Sequence, residues 1–161
     1  MMPVSMLALC AIIGSSFGLT DSSSRRACSY VPTIIAEAEK NDIEPSLLAA
    51  VIMAESSFVP WVTSTAGACG LTQVIPRWTG GPETKNRKYT CEQLKNPKVA
   101  IKVGAQILSY NIRVYAKGNV NKGLCFYSAG TICLRWKNSY DRMHYIKIVK
   151  KYKSILDEDG C

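Results

Sequence analysis

Glu55 ends an apolar run in which Leu48, Val51, Ile52 and Glu55 recur at i, i+3, i+4 and i+7. On a helix this spacing aims the carboxylate the way the hydrophobic stripe points. The C-terminus of a helix carries partial negative charge and disfavours a further anion. Desolvation by apolar neighbours disfavours it too. Both effects raise the pKa of Glu55, which is what a general acid working near neutral pH requires. A lone Glu at a helix end is ordinarily a solvated surface residue. Here Ser64, Gly67, Ala68, Gly70, Leu71 and Gln73 follow at close intervals, and two tyrosines in further motifs, Tyr127 and Tyr145, lie downstream.

Four blocks occur in order. Glu55-Ser56 closes the helical run. Ser64-Thr65-Ala66-Gly67-Ala68-Cys69-Gly70-Leu71-Thr72-Gln73 follows, continued by Val74-Ile75-Pro76. Phe126-Tyr127-Ser128-Ala129-Gly130 is the third block, and Tyr145-Ile146-x-x-Val149 the fourth. Together they resemble the family 1 lytic transglycosylases, the goose-type-lysozyme-like enzymes that cleave peptidoglycan. The family pattern reads Glu-Ser, then Ser-x-x-Gly-Ala-x-Gly-Leu-Met-Gln, then Ala-Tyr-Asn-Ala-Gly, then a last helix that returns a tyrosine to the cleft. Asn96-Pro97 through Ile101, Gly104 and Leu108 look like the intervening core helix. The resemblance runs from about Tyr30 to Tyr152. Thr72 stands where the family has Met, and Ser128 where it has Asn; both positions line or support the sugar cleft in the family.

The resemblance implies a mainly α, lysozyme-like single domain with a catalytic cleft. It implies Glu55 as the catalytic acid and base. Ser64 would bond the substrate near an N-acetyl group, Gln73 would hold the sugar across the cleft, and Tyr127 would stand close to the acid. Tyr145 would pack against Glu55 or hydrogen-bond it. A glycosidic bond needs an acid for its leaving oxygen, and hydrolases usually add a second carboxylate. None is placed near this motif; Glu83, Glu92 and Asp141 lie in polar stretches. One carboxyl group suffices if the muramoyl C6 hydroxyl is the nucleophile, giving a 1,6-anhydromuramoyl end. Two alternatives stand beside this reading: a water-using, lysozyme-like muramidase, and a degenerate glycan-binding or structural envelope protein. The implied partners are peptidoglycan glycan strands, in the service of a phage virion, a secretion or conjugation assembly, or wall turnover.

A chain of 161 residues fits one domain with one core. Twenty Lys and Arg against 12 Asp and Glu give a net charge of +8. Such a surface suits a polyanion. No nucleic-acid recognition motif accompanies it, and the anionic bacterial envelope is an equally good match. None of the first 20 residues is charged, and Met6 to Ile13 is a short apolar stretch followed by Ser16-Phe17-Gly18. This reads as a leader over residues 1–20, too short to span a membrane. A linker over 21–29 and a catalytic domain over 30–161 would follow, exported to the periplasm or outside the cell. Setting Cys10 aside with the leader leaves Cys28, Cys69, Cys91, Cys125, Cys133 and Cys161, enough for three disulfides of open connectivity. No metal or other cofactor is expected. The chain has one histidine, His144, and no Cys-x-x-Cys spacing.

The supporting elements read as helices. Pro32 opens one that runs to Lys40 and is broken by Asn41-Asp42. Pro45 starts the next, which ends near Glu55 with Pro60 soon after. Residues 61–76 form a loop and short turn, and residues 76–95 a polar insertion expected to be mobile. A long helix starts at Pro97 with Val99, Val103, Ile107, Tyr110 and Val114 as its stripe, stopped by Gly118-Asn119. A shorter helix covers about 121–129 and a last one about 141–156, whose Lys147, Lys150, Lys151 and Lys153 form a solvated face.

Overall fold

The computed structural model describes residues 5–135, 140 and 143–158. Among the described residues seven α-helices carry the fold: α1 Met6–Ser16, α2 Asp21–Lys40, α3 Pro45–Ser56, α4 Cys91–Lys95, α5 Pro97–Tyr110, α6 Val120–Ala129 and α7 His144–Glu158. Among the described residues there is no strand, only two isolated antiparallel bridges, Thr63 with Cys69 and Cys69 with Val74. The mainly α expectation is therefore met.

The helix α3 is the axis of the domain. It starts on Pro45, and every residue from Ser46 to Met53 is buried. A helix apolar on all sides must be enclosed by others, and α2 and α7 pack against it. The helices α1, α5 and α6 complete the main core, with Leu9, Ile13, Ile34, Leu48, Ile52, Leu108, Leu124 and Ile146 fully buried. A second, smaller cluster of Cys69, Val74, Tyr89, Leu94 and Val103 holds the loop region to α4 and α5.

Several expectations need correction. Residues 21–29 are not a linker but the first part of α2, capped by the Thr20 side chain, which accepts from the Ser23 amide. Pro32 sits inside this helix rather than at its start. Ala27, Val31, Ile34 and Ala38 continue one buried stripe across it, and that burial outweighs the hydrogen bond the proline cannot donate. Residues 6–16 are helical and packed, with Leu9, Ile12 and Ile13 in the core and Phe17 in edge contact with Tyr152 at 5.2 Å. The disulfides are Cys10–Cys28, Cys69–Cys91 and Cys125–Cys133. Cys10, set aside with the leader, is thus a bonded partner, while Cys161 lies outside the described residues.

The segment 76–95 is built rather than loose. Thr79, Thr84, Tyr89 and Leu94 are buried, 3-10 turns occupy Pro76–Trp78 and Pro82–Thr84, and Cys91 is bonded to Cys69. After Tyr110, α5 passes into a π-helical turn, Asn111–Tyr115. The extra residue per turn shifts the register, so Val114, expected on the core stripe, is 46% exposed. On α7, Lys147, Lys150 and Lys151 are exposed as expected, and Lys153 instead pairs with Glu44 at 2.9 Å and Asp157 at 2.6 Å. No described helix is long and apolar enough to cross a membrane.

Candidate active site

The chain turns sharply after Glu55. Ser57 and Phe58 both take left-handed backbone conformations, φ 51° and 61°, and the Phe58 side chain is fully buried. The turn leaves Glu55 partly covered at the end of the central helix. Burial pushes its carboxyl up to about 7, from an ordinary 4.5, and the Tyr145 hydroxyl draws it partly back down. The upward shift expected from the sequence is present, and its leading cause is desolvation.

The two tyrosines come from different helices. Tyr127 lies near the end of α6 and donates its hydroxyl to the Thr72 carbonyl at 2.6 Å. Tyr145 is the second residue of α7. Its hydroxyl is buried and has no acceptor in good hydrogen-bond geometry, yet it is near enough to act on the Glu55 carboxyl. The approach is close but imperfect in geometry, and it can tighten when Glu55 ionises. Burial first, and then the charge of Glu55, push both phenols well above the usual tyrosine pKa. Each stays protonated and keeps a hydroxyl proton to donate.

The wall opposite is the segment 61–76. Ser64 accepts from the Ala68 amide on its Oγ at 3.1 Å, and its backbone amide donates to the Ala68 carbonyl at 2.9 Å. The hydroxyl proton of Ser64 remains free to point outward. Gln73, at φ 50°, spends its side-chain amide on the wall itself, donating to the Val62 carbonyl at 3.2 Å and the Gly70 carbonyl at 2.9 Å. Only its carbonyl oxygen is left for another donor. The wall is joined to the acid's helix by Ser56, whose Oγ bonds the Leu71 carbonyl at 2.8 Å. Sequence reasoning gave Ser56 no role, although it directly follows Glu55; a buried serine at a helix end is the signal that could have found it.

Thr72 is fully buried and does not face the cleft. Its Oγ1 donates to the Ala100 carbonyl at 2.7 Å, and its side chain fills the space above Gly104, where any Cβ would run into it. Ser128 is exposed. Gly70, at φ 77°, lies so close to the Leu94 carbonyl that a Cβ would overlap it. The wall is thus positioned by Ser56, Thr72, Gly70 and the Cys69–Cys91 disulfide.

Among the described residues no second carboxylate acts on Glu55: burial and Tyr145 account for its shift. Glu83 accepts from Tyr115 at 2.6 Å, and Glu92 pairs with Lys95 at 3.0 Å. Asp141 lies outside the described residues. Among the described residues no group of side chains is arranged to hold a metal ion. The site can give up one proton near neutral pH and take it back.

The sequence model of the transglycosylase SLT domain matches residues 32–149. The chain belongs to that family. A membrane-bound lytic murein transglycosylase C of Actinobacillus pleuropneumoniae is 37% identical over 101 residues, 60% of this chain and 27% of the relative. A transglycosylase of Enterobacteria phage PRD1 is 33% identical over 134 residues, 83% of this chain and 47% of the relative. In structure, the lytic transglycosylase Slt of Pseudomonas aeruginosa superposes with a TM-score of 0.72 at 22% identity, covering 93% of this chain and 27% of Slt. A 70 kDa soluble lytic transglycosylase in complex with bulgecin A gives 0.70 at 23%, covering 84% of this chain and 25% of that enzyme. These structures share the fold. The SLT domain described here spans between a quarter and a half of the length of these relatives.

Proposed function

We propose that this SLT domain is a peptidoglycan lytic transglycosylase, cleaving the β-1,4 bond between MurNAc and GlcNAc with Glu55 as its acid and base. The observation that carries the reading is a single carboxyl, lifted to about 7 by burial and approached by Tyr145, with no second carboxylate among the described residues acting on it. At neutral pH about half of such groups hold a proton. Protonated Glu55 gives that proton to the leaving O4 as the bond from O4 to the anomeric carbon breaks. The muramoyl O6 then bonds that carbon, and its proton returns to the Glu55 carboxylate. No water is consumed, and the product carries a 1,6-anhydromuramoyl end. Nucleophile and electrophile share one ring, so little entropy is lost in bringing them together.

The surrounding residues take supporting roles. Tyr145 donates to the carboxylate once Glu55 has lost its proton, easing the transfer. Tyr127 fixes the wall through Thr72 and sets the edge of the site. Ser64 offers its hydroxyl to the N-acetyl side of the substrate, and Gln73 its carbonyl oxygen. Three disulfides suit an oxidising compartment, the periplasm or the cell exterior. The phage relative makes a virion a fitting owner, with secretion and conjugation assemblies as the others.

The deciding measurement is mass spectrometry of soluble muropeptides after digestion of purified sacculi. Anhydro ends are expected, and Glu55→Gln should lower their release at least ~10²-fold, since the amide cannot donate to the leaving oxygen. If reducing ends dominate, water is the nucleophile and the chain is a muramidase. Binding to sacculi without any cleavage would make it a glycan-binding protein.

A further inference from the structure

Two buried phenols stand near the acid, and they are committed differently. Tyr127 and Tyr145 both feel the charge of Glu55. Tyr145 finds no well-placed acceptor and leans on the Glu55 carboxyl. Tyr127 gives its hydroxyl proton to the Thr72 carbonyl at 2.6 Å. A phenol has one proton, so Tyr127 has none left for Glu55.

Two successive carbonyls of the wall tie it to the site. The Leu71 carbonyl accepts from Ser56, the residue after Glu55, at 2.8 Å. The next carbonyl, that of Thr72, accepts from Tyr127. The Thr72 side chain anchors the same residue to α5, its Oγ1 donating to the Ala100 carbonyl at 2.7 Å. Helical side chains tilt back over the preceding turn, so the side chain at position 104 would ordinarily cover that carbonyl. Gly104 has none, and Thr72 fills the gap. Threonine fills the space and donates. The methionine of the family pattern could fill it but has no proton to give.

Other charged groups around the acid are committed elsewhere. The wall, residues 61–76, has no charged side chain. From α2, Arg26 donates to the Phe58 carbonyl at 3.1 Å, and Tyr30 responds to Arg26 rather than to Glu55. On α7, His144, Lys147, Lys150 and Lys151 are exposed, and Lys153 pairs with Glu44 and Asp157. Among the described residues the balance at Glu55 is burial against Tyr145.

We propose that Thr72 is a positioning residue for the acid: anchored on Ala100, it holds its own carbonyl where it captures the Tyr127 proton, so that Tyr127 gives the Glu55 carboxylate no hydrogen bond. The proposal rests on the reading of Glu55 as the acid and deepens it. A second phenol donating to the carboxylate would favour the ionised form, and fewer molecules would hold the proton at neutral pH. The test reads the Glu55 pKa in the full chain, without substrate, by NMR of the side-chain carboxyl carbons, with Glu55→Gln identifying the resonance. Thr72→Val keeps the shape and loses the Oγ1 donor. It should lower the Glu55 pKa by about one unit, the lower end for a hydrogen bond to a charged group. The alkaline limb of the pH–rate profile should move down with it. Thr72→Ser, which keeps the donor, should leave the pKa in place. Adding Tyr127→Phe to Thr72→Val should restore the wild-type value, a rescue that mere loosening of the wall would not give. Tyr127→Phe alone should leave the pKa unchanged, whatever it does to the rate. An unmoved pKa in Thr72→Val overturns the proposal. So does a shift that Thr72→Ser shares or that persists in the double variant. A rise in Tyr127→Phe alone overturns it without any change at Thr72, because Tyr127 would then already be donating to Glu55. The two readings fail separately. The expected shifts in a chain that cuts no sacculi refute the lyase and keep the positioning role. Anhydro ends from sacculi, with a Glu55 pKa indifferent to Thr72, do the reverse.

Discussion

Glu55→Gln should stabilise the domain above neutral pH and do nothing for it in acid. Folding lifts the Glu55 pKa from an ordinary 4.5 to about 7, chiefly by desolvation. Between those values the folded state holds a proton that the unfolded chain has released. The Glu55 contribution to stability is therefore greatest below about pH 4.5, falls as pH rises toward 7, and is flat beyond it. A shift of this size corresponds to roughly 3 kcal/mol. Glutamine has the same shape and no charge to desolvate, so it removes the whole penalty at pH 8. For a domain of this size the gain reads as roughly 6–12 °C in melting temperature. The assay is thermal unfolding of both proteins, disulfides intact, at several pH values from 4 to 8.5. The difference between them should grow through the window and level off above about 7. A glutamine variant no more stable than wild type at pH 8 would refute the claim that burial, rather than a favourable partner, governs this carboxyl.

Tyr145→Phe removes the one group that lowers the Glu55 pKa; the alkaline limb of the pH–rate profile should move upward by about one unit, the lower end for a hydrogen bond to a charged group. The same change deletes a buried hydroxyl without a well-placed acceptor, so unfolding experiments below about pH 6, where Glu55 holds its proton, should show little loss of stability. Gly104→Ala, favourable by propensity on most helices, should instead destabilise by about 1–3 kcal/mol, because the new methyl meets the buried Thr72 side chain; urea unfolding measures it. Trimming the chain to start at residue 20 removes Leu9, Ile12 and Ile13 from the core and leaves Cys28 without Cys10. The trimmed protein should carry one additional free thiol on titration under denaturing conditions and melt well below the longer chain.

Much of the architecture was legible in local pattern. Pro45, Pro97 and the apolar run before Glu55 mark helix starts and a buried face through rules that act within a few residues. The four blocks place an acid, a small-residue wall and two tyrosines in one order. Their neighbours in space were not legible in the same way. Pro32 reads as a helix start because a proline lacks an amide proton, yet burial of Ala27 and Val31 carries α2 through it. Val114 fits the stripe of α5 until the π turn at Asn111–Tyr115 rotates it outward. The segment 76–95 has loop composition, and is ordered by a disulfide and by Tyr89 and Leu94 in a cluster built from distant residues.

The sequence by itself determined the helical class, the position of the acid at the end of the central helix, and the direction of its pKa shift. Tertiary structure decided which cysteines pair, that Thr72 is a buried strut rather than a cleft residue, and that Gln73 spends its amide on the wall. The reason is physical. Helix starts and apolar periodicity are set by residues within a turn or two of one another. Disulfide pairing, burial of a hydroxyl and desolvation of a carboxyl depend on which segments arrive in the same place, and only the packed core specifies that.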